Sequence, residues 1–305
     1  MGYAQLLGRE LAVPGSTANL GPGFDAVALA LRVYVRARIT RVDPTRSNAL
    51  ACTFCGVQLQ GEDLIARSFA AAAAALGRDA PATAVSVESD IPLKAGLGSS
   101  AAAIVLGLRV YEAVTGPVAT ADLLRMAADL EGHPDNTSAS LLGGLVVSCR
   151  AASGDVIAIA SPWPDAIKIV VATPHAALET RRARQVLPGT VPLEDAVFNV
   201  QRAMLLVQSL DGPDRAALRE ALRDRLHQPY RLPLVPGFQE ALAFDRPTLI
   251  GVYLSGAGPS IAALVDGDPA PIVDDFDRLY TRLSLEHAVR VLDVHTPEAP
   301  AAADR

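Results

Sequence analysis

The stretch Ile91–Gly107, Ile-Pro-Leu-Lys-Ala-Gly-Leu-Gly-Ser-Ser-Ala-Ala-Ala-Ile-Val-Leu-Gly, decides how this chain is built. Its centre is Gly96-Leu97-Gly98-Ser99-Ser100. The alternating run Val85-Ser86-Val87-Glu88 before it reads as the end of a strand, and Ala101–Val114 after it carries apolar residues at helical spacing. A glycine-rich turn therefore opens a helix. Glycines let a backbone approach a ligand closely, and the free N–H groups of a first helical turn bind anions. The two serines can cap the helix, bind phosphate or place a hydroxyl on a metal. The same residues also suit a tight turn with serine caps and no ligand. No Gly-Lys-Ser/Thr follows the glycines, so the stretch is not a Walker A loop. It lacks the third glycine of a dinucleotide fingerprint as well.

The 305 residues suffice for two domains or one large one, and with half of them hydrophobic a sizeable core is possible. The net charge of −6, from 27 basic and 33 acidic residues, argues against nucleic acid or an anionic membrane as partner. Cys52, Cys55 and Cys149 make no disulfide framework, and Cys52-Thr53-Phe54-Cys55 lies in a strand-like run where cysteines pack. No apolar run reaches the ~20 residues of a membrane span, and the N-terminus has no export signal, so the cytoplasm is the default compartment.

Upstream, Leu11–Pro14 starts a strand that runs into Gly15–Asp25, and the three glycines and two prolines of Pro14–Asp25 forbid a regular helix. Asn19 and Asp25 make this polar loop a candidate binding loop or an Asx-capped turn. Ala26–Leu31 reads as a short helix or a buried strand, Tyr34–Arg41 as a strand and Asp63–Leu76 as an alanine-rich helix. Leu123–Leu130 is an amphipathic helix ending at Glu131-Gly132-His133-Pro134-Asp135-Asn136, which puts two carboxylates and a carboxamide on one short loop. His133 alone reads as a structural hydrogen-bonder, since no second histidine lies at a zinc spacing. Pro162-Trp163-Pro164 marks a boundary between domains 1–161 and 162–296. Beyond it, Ile167–Thr173, Thr248–Leu254, Ile261–Val265 and Arg290–Val294 read as strands. Residues 177–187, 193–210 and 215–225 read as helices, and His227–Arg231 as an irregular turn. Ser255–Ser260 is a second glycine turn. The tail, residues 297–305, has the Ala/Pro-rich composition of a disordered segment.

Pro14–Asp25, Pro92–Ala103 and Leu254–Ser260, in this order, resemble the three motifs of the small-molecule kinases named for galactokinase, homoserine kinase, mevalonate kinase and phosphomevalonate kinase. Ser16–Asp25, Glu131–Asn136 with Leu141–Gly144, Leu178–Thr180 with Arg184, and His227–Arg231 are similar to the homoserine kinase branch, over about Val13–Val265. Gly15 and the pair Thr137-Ser138 depart from that pattern. The resemblance implies an α+β fold of two halves, the first like ribosomal protein S5 domain 2 with left-handed βαβ geometry, the second ferredoxin-like. It also implies ATP and Mg²⁺ as cofactors, L-homoserine as the small-molecule substrate, O-phospho-L-homoserine for threonine synthesis as product, and a homodimer.

Roles follow from the same resemblance. ATP is expected along Pro92, Leu93, Lys94, Ala95, Gly96, Leu97, Gly98, Ser99, Ser100 and Ala101, with Lys94 adding positive charge or simply solvated. Ser100 and Glu131 match the Mg²⁺-associated serine and carboxylate. Arg184 and Arg231 would clamp the substrate carboxylate, with Thr180 and Gly256 beside it. Asn19, Asp25 and Asp135 would take its ammonium, and Asn136 the reacting hydroxyl. Asp135 is either the general base or an orienting group; a carboxylate that holds an ammonium is the poorer base, which favours orientation. Two alternatives remain: a kinase of the same family acting on another small alcohol, and a sensor that binds ATP and ligand without turnover. A sensor would have no need of Ser100, Glu131 and Asp135 together.

Overall fold

The computed structural model describes residues 3–56, 61–176, 178–210, 212 and 214–296. Strand β1 (Glu10–Asn19) turns through Leu20–Pro22 into β2 (Gly23–Ser47), the longest strand. On one face of β2, Leu29, Leu31, Val33, Val35, Ala37 and Ile39 are buried in the main core. On the other, Ala28 and Ala30 join Ala18, Ala139 and Val146 in a second small cluster. Residues 27–31 are thus covered on both sides, which is why they read as an unbroken apolar run with no period to separate helix from strand.

The next elements are β3 (Leu50–Phe54), α1 (Leu64–Leu76), β4 (Pro81–Ser89), α2 (Ser99–Thr115), α3 (Thr120–Glu131), α4 (Asp135–Leu142), β5 (Leu145–Arg150) and β6 (Val156–Ser161). They complete a sheet of order β3-β4-β2-β5-β6, with β1 paired to β2; β3 and β4 are parallel and the other pairs antiparallel. Asp63 starts α1 by accepting from the Ile65 and Ala66 N–H groups.

The chain then forms β7 (Ile167–Pro174), α5 (Thr180–Gln185), α6 (Leu193–Ser209), α7 (Arg215–Ala221), α8 (Gln228–Arg231), α9 (Phe238–Ala241), β8 (Leu249–Leu254), β9 (Ile261–Asp266), α10 (Ala270–Arg282) and β10 (His287–Leu292). The second sheet is antiparallel, in order β10-β7-β9-β8. Strand β7 is buried on both faces. Ile167, Ile169 and Val171 join the main core, while Val170 and Ala172 meet Ile272, Phe276 and Leu279 of α10. No helix among the described residues is long and apolar enough to cross a membrane.

Several expectations change. Ser16–Asn19 belong to β1 rather than to a loop, and Ala26–Leu31 and Tyr34–Arg41 are one strand. Glu131 is the last residue of α3, and Asp135 and Asn136 open α4, so the three do not share a loop. His227–Arg231 is helical from Gln228 because Asp224 accepts from the Leu226, His227 and Gln228 N–H groups, and Pro229 is tolerated in a first turn. The helix after Asp214 stops at Ala221, that near Thr180 spans only Thr180–Gln185, and β10 begins at His287. Helix α10 was not anticipated, although Ile272, Phe276, Leu279 and Tyr280 have the spacing of one helical face. Ala177 and the tail 297–305 lie outside the described residues.

Candidate active site

The end of the site at Gly96–Ser100 is a backbone construction. Gly96 (φ 76°) and Gly98 (φ 67°) are both left-handed. A Cβ on Gly96 would run into the Ser255 carbonyl oxygen, and one on Gly98 into the Ser16 hydroxyl. The turn is therefore wedged between β1 and the second glycine turn. Ser255 Oγ donates to Gly96 O (2.7 Å) and Ser260 N to Ala95 O (3.2 Å), which ties the two turns together. Gly98 is the N-cap of α2, with no side-chain cap. The first intrahelical bond is Ala102 N to Gly98 O (2.9 Å), so the N–H groups of Ser99, Ser100 and Ala101 precede it. The serines do not cap the helix. Ser100 Oγ instead donates to Glu131 Oε1 (2.5 Å).

Glu131 is a partly buried carboxylate with no ion-pair partner within 4 Å among the described residues. Burial pushes its pKa above the usual glutamate range, against the Ser100 bond and the charge of His133, which lower it. A carboxylate beside a hydroxyl, desolvated and without a counter-charge, has the donor set of a hard cation site.

The other end is built of paired charges from distant segments. Asp25 (φ 56°) follows the β1–β2 turn, and its N–H donates to Asn19 Oδ1 (3.1 Å). Asn19 (φ 73°) donates through Nδ2 to Gly256 O (2.9 Å). Arg184 of α5 donates to both oxygens of Asp25 (2.9 and 2.7 Å), the bidentate fork that lysine cannot make. That bond, and the charge of Asp25 behind it, raises the Arg184 pKa. Arg231 is only 1% exposed. Its Nε donates to Ala183 O (3.1 Å) and its Nη1 to Gly256 O and His227 Nδ1 (3.2 Å each). Burial, then the neighbouring Arg184 charge, lowers the Arg231 pKa to about 10. Because His227 accepts through Nδ1, its Nε2–H donates to Gly21 O (2.8 Å); burial lowers its pKa and keeps it neutral. Phe24 stacks on His227 with ring centroids 5.1 Å apart, and the Arg231 and Arg184 guanidinium carbons lie 5.2 and 5.7 Å from its ring centroid.

Between the ends lies the start of α4. Asp135 Oδ1 accepts from His133 Nδ1 (2.6 Å) and from the Asn136 N–H (2.8 Å). Burial disfavours a charged His133, but the Asp135 hydrogen bond and charge, with Glu131 and Asp25 behind, outweigh it and raise its pKa. Asn136 Oδ1 accepts from Ser16 Oγ (2.8 Å), which fixes the carboxamide.

These groups line one cavity, open to solvent. All eight residues expected at the amino acid (Asn19, Asp25, Asp135, Asn136, Thr180, Arg184, Arg231 and Gly256) face it, as do Ser100 and Glu131. Of the expected nucleotide residues, Lys94, Gly96, Gly98, Ser99 and Ser100 line it. Pro92, Leu93 and Leu97 face a separate cleft against β7 and β10, and Ala95 and Ala101 are buried. Lys94 is not simply solvated: its Nζ pairs with Glu179 Oε1 (3.0 Å) at the start of α5. Thr137 and Ser138 are fully buried in α4, away from the cavity. His133 is the hydrogen-bonder the sequence suggested, with Asp135 as its partner, but its place in the lining was not expected. Sequence reasoning missed Phe24, although Phe24 directly precedes Asp25. Asp25, His133 and Asp135 also offer ligand atoms within 4.8 Å of one another. All three are already engaged, Asp25 with Arg184 and His133 with Asp135, so this group is the weaker cation site.

The pattern of the family described as GHMP kinases N terminal domain matches residues 63–144, and that of GHMP kinases C terminal matches residues 206–280. A homoserine kinase of Solibacter usitatus is 37% identical over 293 residues, 95% of each chain. The chain belongs to the homoserine kinase family. A homoserine kinase of Gloeobacter violaceus is 41% identical over 268 residues, 86% of this chain and 89% of its own. The crystal structure of the homoserine kinase from Cytophaga hutchinsonii superposes with a TM-score of 0.81 at 26% identity, covering 93% of this chain and 94% of that one. The mevalonate kinase of L. major, at 15% identity and a TM-score of 0.68 over 96% and 97% of the two chains, shares the fold alone.

Proposed function

We propose that the chain transfers the γ-phosphoryl group of ATP to the side-chain hydroxyl of L-homoserine, giving O-phospho-L-homoserine and ADP. The observation that carries this reading is the cavity. One wall is a helix N-terminus built on Gly96–Ser100, and the other carries two arginines and two aspartates suited to a zwitterion. We read residues 1–161 and 162–296 as the two halves of the enzyme and the cytoplasm as its compartment.

In this reading Gly96, Gly98 and the first-turn N–H groups of α2 hold the phosphates, with Lys94 at the rim. Ser100 and Glu131 would hold Mg²⁺, which when bound offsets charge on the phosphate oxygens. Arg184 and Arg231 take the substrate carboxylate, Arg231 with no water to displace because it is already buried. Asp25 first orients Arg184 through both oxygens, and Asp135 with Asn19 Oδ1 receives the ammonium. Asn136, held by Ser16, aligns the hydroxyl with the phosphorus. Asp135 acts by orientation, since its Oδ1 is already committed to His133 and the Asn136 N–H. Alignment of the two reactants then supplies most of the acceleration.

The test is an ADP-release assay with Mg-ATP over L-homoserine, mevalonate, galactose and shikimate. Turnover is expected with L-homoserine and at most traces with the others. Faster turnover of another alcohol, or of none, would contradict the reading.

A further inference from the structure

The two arginines of the cavity are not held alike. Arg184 gives both of its terminal nitrogens to the Asp25 carboxylate. Arg231 has no carboxylate within 4 Å among the described residues. It is held instead by two backbone carbonyls, Ala183 O on Nε and Gly256 O on Nη1, and by Nδ1 of His227, also on Nη1. A guanidinium has five N–H donors, and these bonds leave the two of Nη2 for the cavity that Arg231 lines. The side chain is aimed, and its charge is unanswered.

One of those three partners depends on how His227 itself is held. His227 is fully buried and lies one helical turn before Arg231, whose N–H donates to His227 O (3.1 Å). Asp224 accepts from the backbone N–H groups of His227 (3.0 Å) and Gln228 (2.7 Å), and Asn199 donates to its other oxygen (2.7 Å). Gln228 accepts from Leu254 N (2.7 Å), which pins the start of α8 to β8. The imidazole Nε2–H donates to Gly21 O. Gly21 packs directly on the Leu222 carbonyl at the end of α7, where a Cβ would have no room. With Nε2 protonated, Nδ1 is bare and can accept; in the opposite tautomer an N–H would face the N–H of Arg231.

We infer that His227 is a positioning residue for substrate recognition: held in the Nε2–H tautomer by Gly21, it aims Arg231 through a neutral acceptor and leaves the full guanidinium charge for the substrate carboxylate. A carboxylate at the same place would make the same hydrogen bond but neutralise the arginine, as Asp25 does for Arg184. Burial, which lowers the His227 pKa, keeps the ring neutral. Phe24 covers one face of that ring. The inference rests on the reading of the cavity as a homoserine site.

The test is the isosteric pair His227→Asn and His227→Asp, in which Oδ1 stands where Nδ1 did and only the charge differs. KM for L-homoserine is expected to rise a few-fold in His227→Asn and ~30-fold or more in His227→Asp, with KM for ATP the same in both. With 3-amino-1-propanol, which has no carboxylate, the two variants should be alike. Equal KM for L-homoserine in the two variants, or a gap that persists with 3-amino-1-propanol, overturns the inference alone, provided wild type turns over homoserine. A wild type without that turnover overturns the underlying reading and the inference with it. A second measurement needs no variant. In nitrogen NMR spectra of the wild-type chain labelled at histidine, His227 is expected to show a protonated Nε2 and a bare Nδ1, with Nδ1 shifting on addition of L-homoserine and not of ADP. A protonated Nδ1, or one indifferent to homoserine, overturns the inference whatever the variants do.

Discussion

The two ends of the cleft are made differently. The proposed phosphate end is one contiguous stretch of small residues whose functional groups are backbone N–H donors, and its shape is set by two left-handed glycines and the hydroxyls of Ser16 and Ser255. The proposed amino-acid end is assembled from segments some two hundred residues apart, and its functional groups are charged side chains held mostly by one another: Arg184 by Asp25, His133 by Asp135, Arg231 by Gly256 and His227. A loop of backbone donors fits any phosphate. A network of paired charges fits only a ligand able to replace or extend those pairs, so in the proposed reading specificity resides at this second end.

The sharpest way to break this division is at the boundary. Glu131→Gln keeps size and hydrogen bonding to Ser100 but removes the charge suited to a cation. A loss of about 100-fold or more in kcat is expected, with KM for homoserine little changed, measured at saturating Mg²⁺. Wild-type-like turnover would remove Glu131 from the phosphate end. Next in size is Asp135→Asn, which keeps the shape and one acceptor. If Asp135 orients the ammonium, KM for homoserine rises roughly 10- to 100-fold and the acidic limb of the kcat–pH profile survives. If that limb vanishes while KM stays put, Asp135 is the base. The smallest effect concerns His133. Its pKa is raised in the folded chain, so the stabilisation from its pairing with Asp135 is complete below the unfolded histidine value of ~6.5 and fades as pH rises through the folded value. His133→Gln should therefore lower Tm more at pH 6 than at pH 9, by a few degrees at most. An equal loss at both values would mean that the imidazole is not held as a cation.

The same division explains what could be read in advance. The glycine turn, the helix behind it and the strands β4, β7 and β9 follow from local pattern, because glycine spacing and apolar periodicity are properties of adjacent residues. The identities of the amino-acid-end residues came from motif resemblance, and all of them line the cavity. What was not legible is which charge pairs with which. Arg184 and Asp25 were expected to face opposite ends of a substrate, and in this structure they face each other. That pairing depends on how α5 lies over the β1–β2 turn, which no local pattern encodes. For Ser100, local pattern left two readings open and only the resemblance paired it with Glu131. A serine in a first helical turn is as good a cap as a metal-facing hydroxyl until α3 brings Glu131 beside it. Helix α4 was read as loop because Pro134 marks a helix end by rule, whereas here it precedes a new helix.

The central claim is that Arg184 serves the carboxylate end of an amino acid and nothing else. The most direct measurement is a cycle in kcat/KM over two substrates, L-homoserine and 3-amino-1-propanol, which lacks the carboxylate, and two proteins, wild type and Arg184→Ala. Deleting the carboxylate should cost wild type ~100-fold and the variant only a few-fold, with KM for ATP the same in both proteins. The same cost in both proteins, or a parallel rise in KM for ATP, would contradict the account.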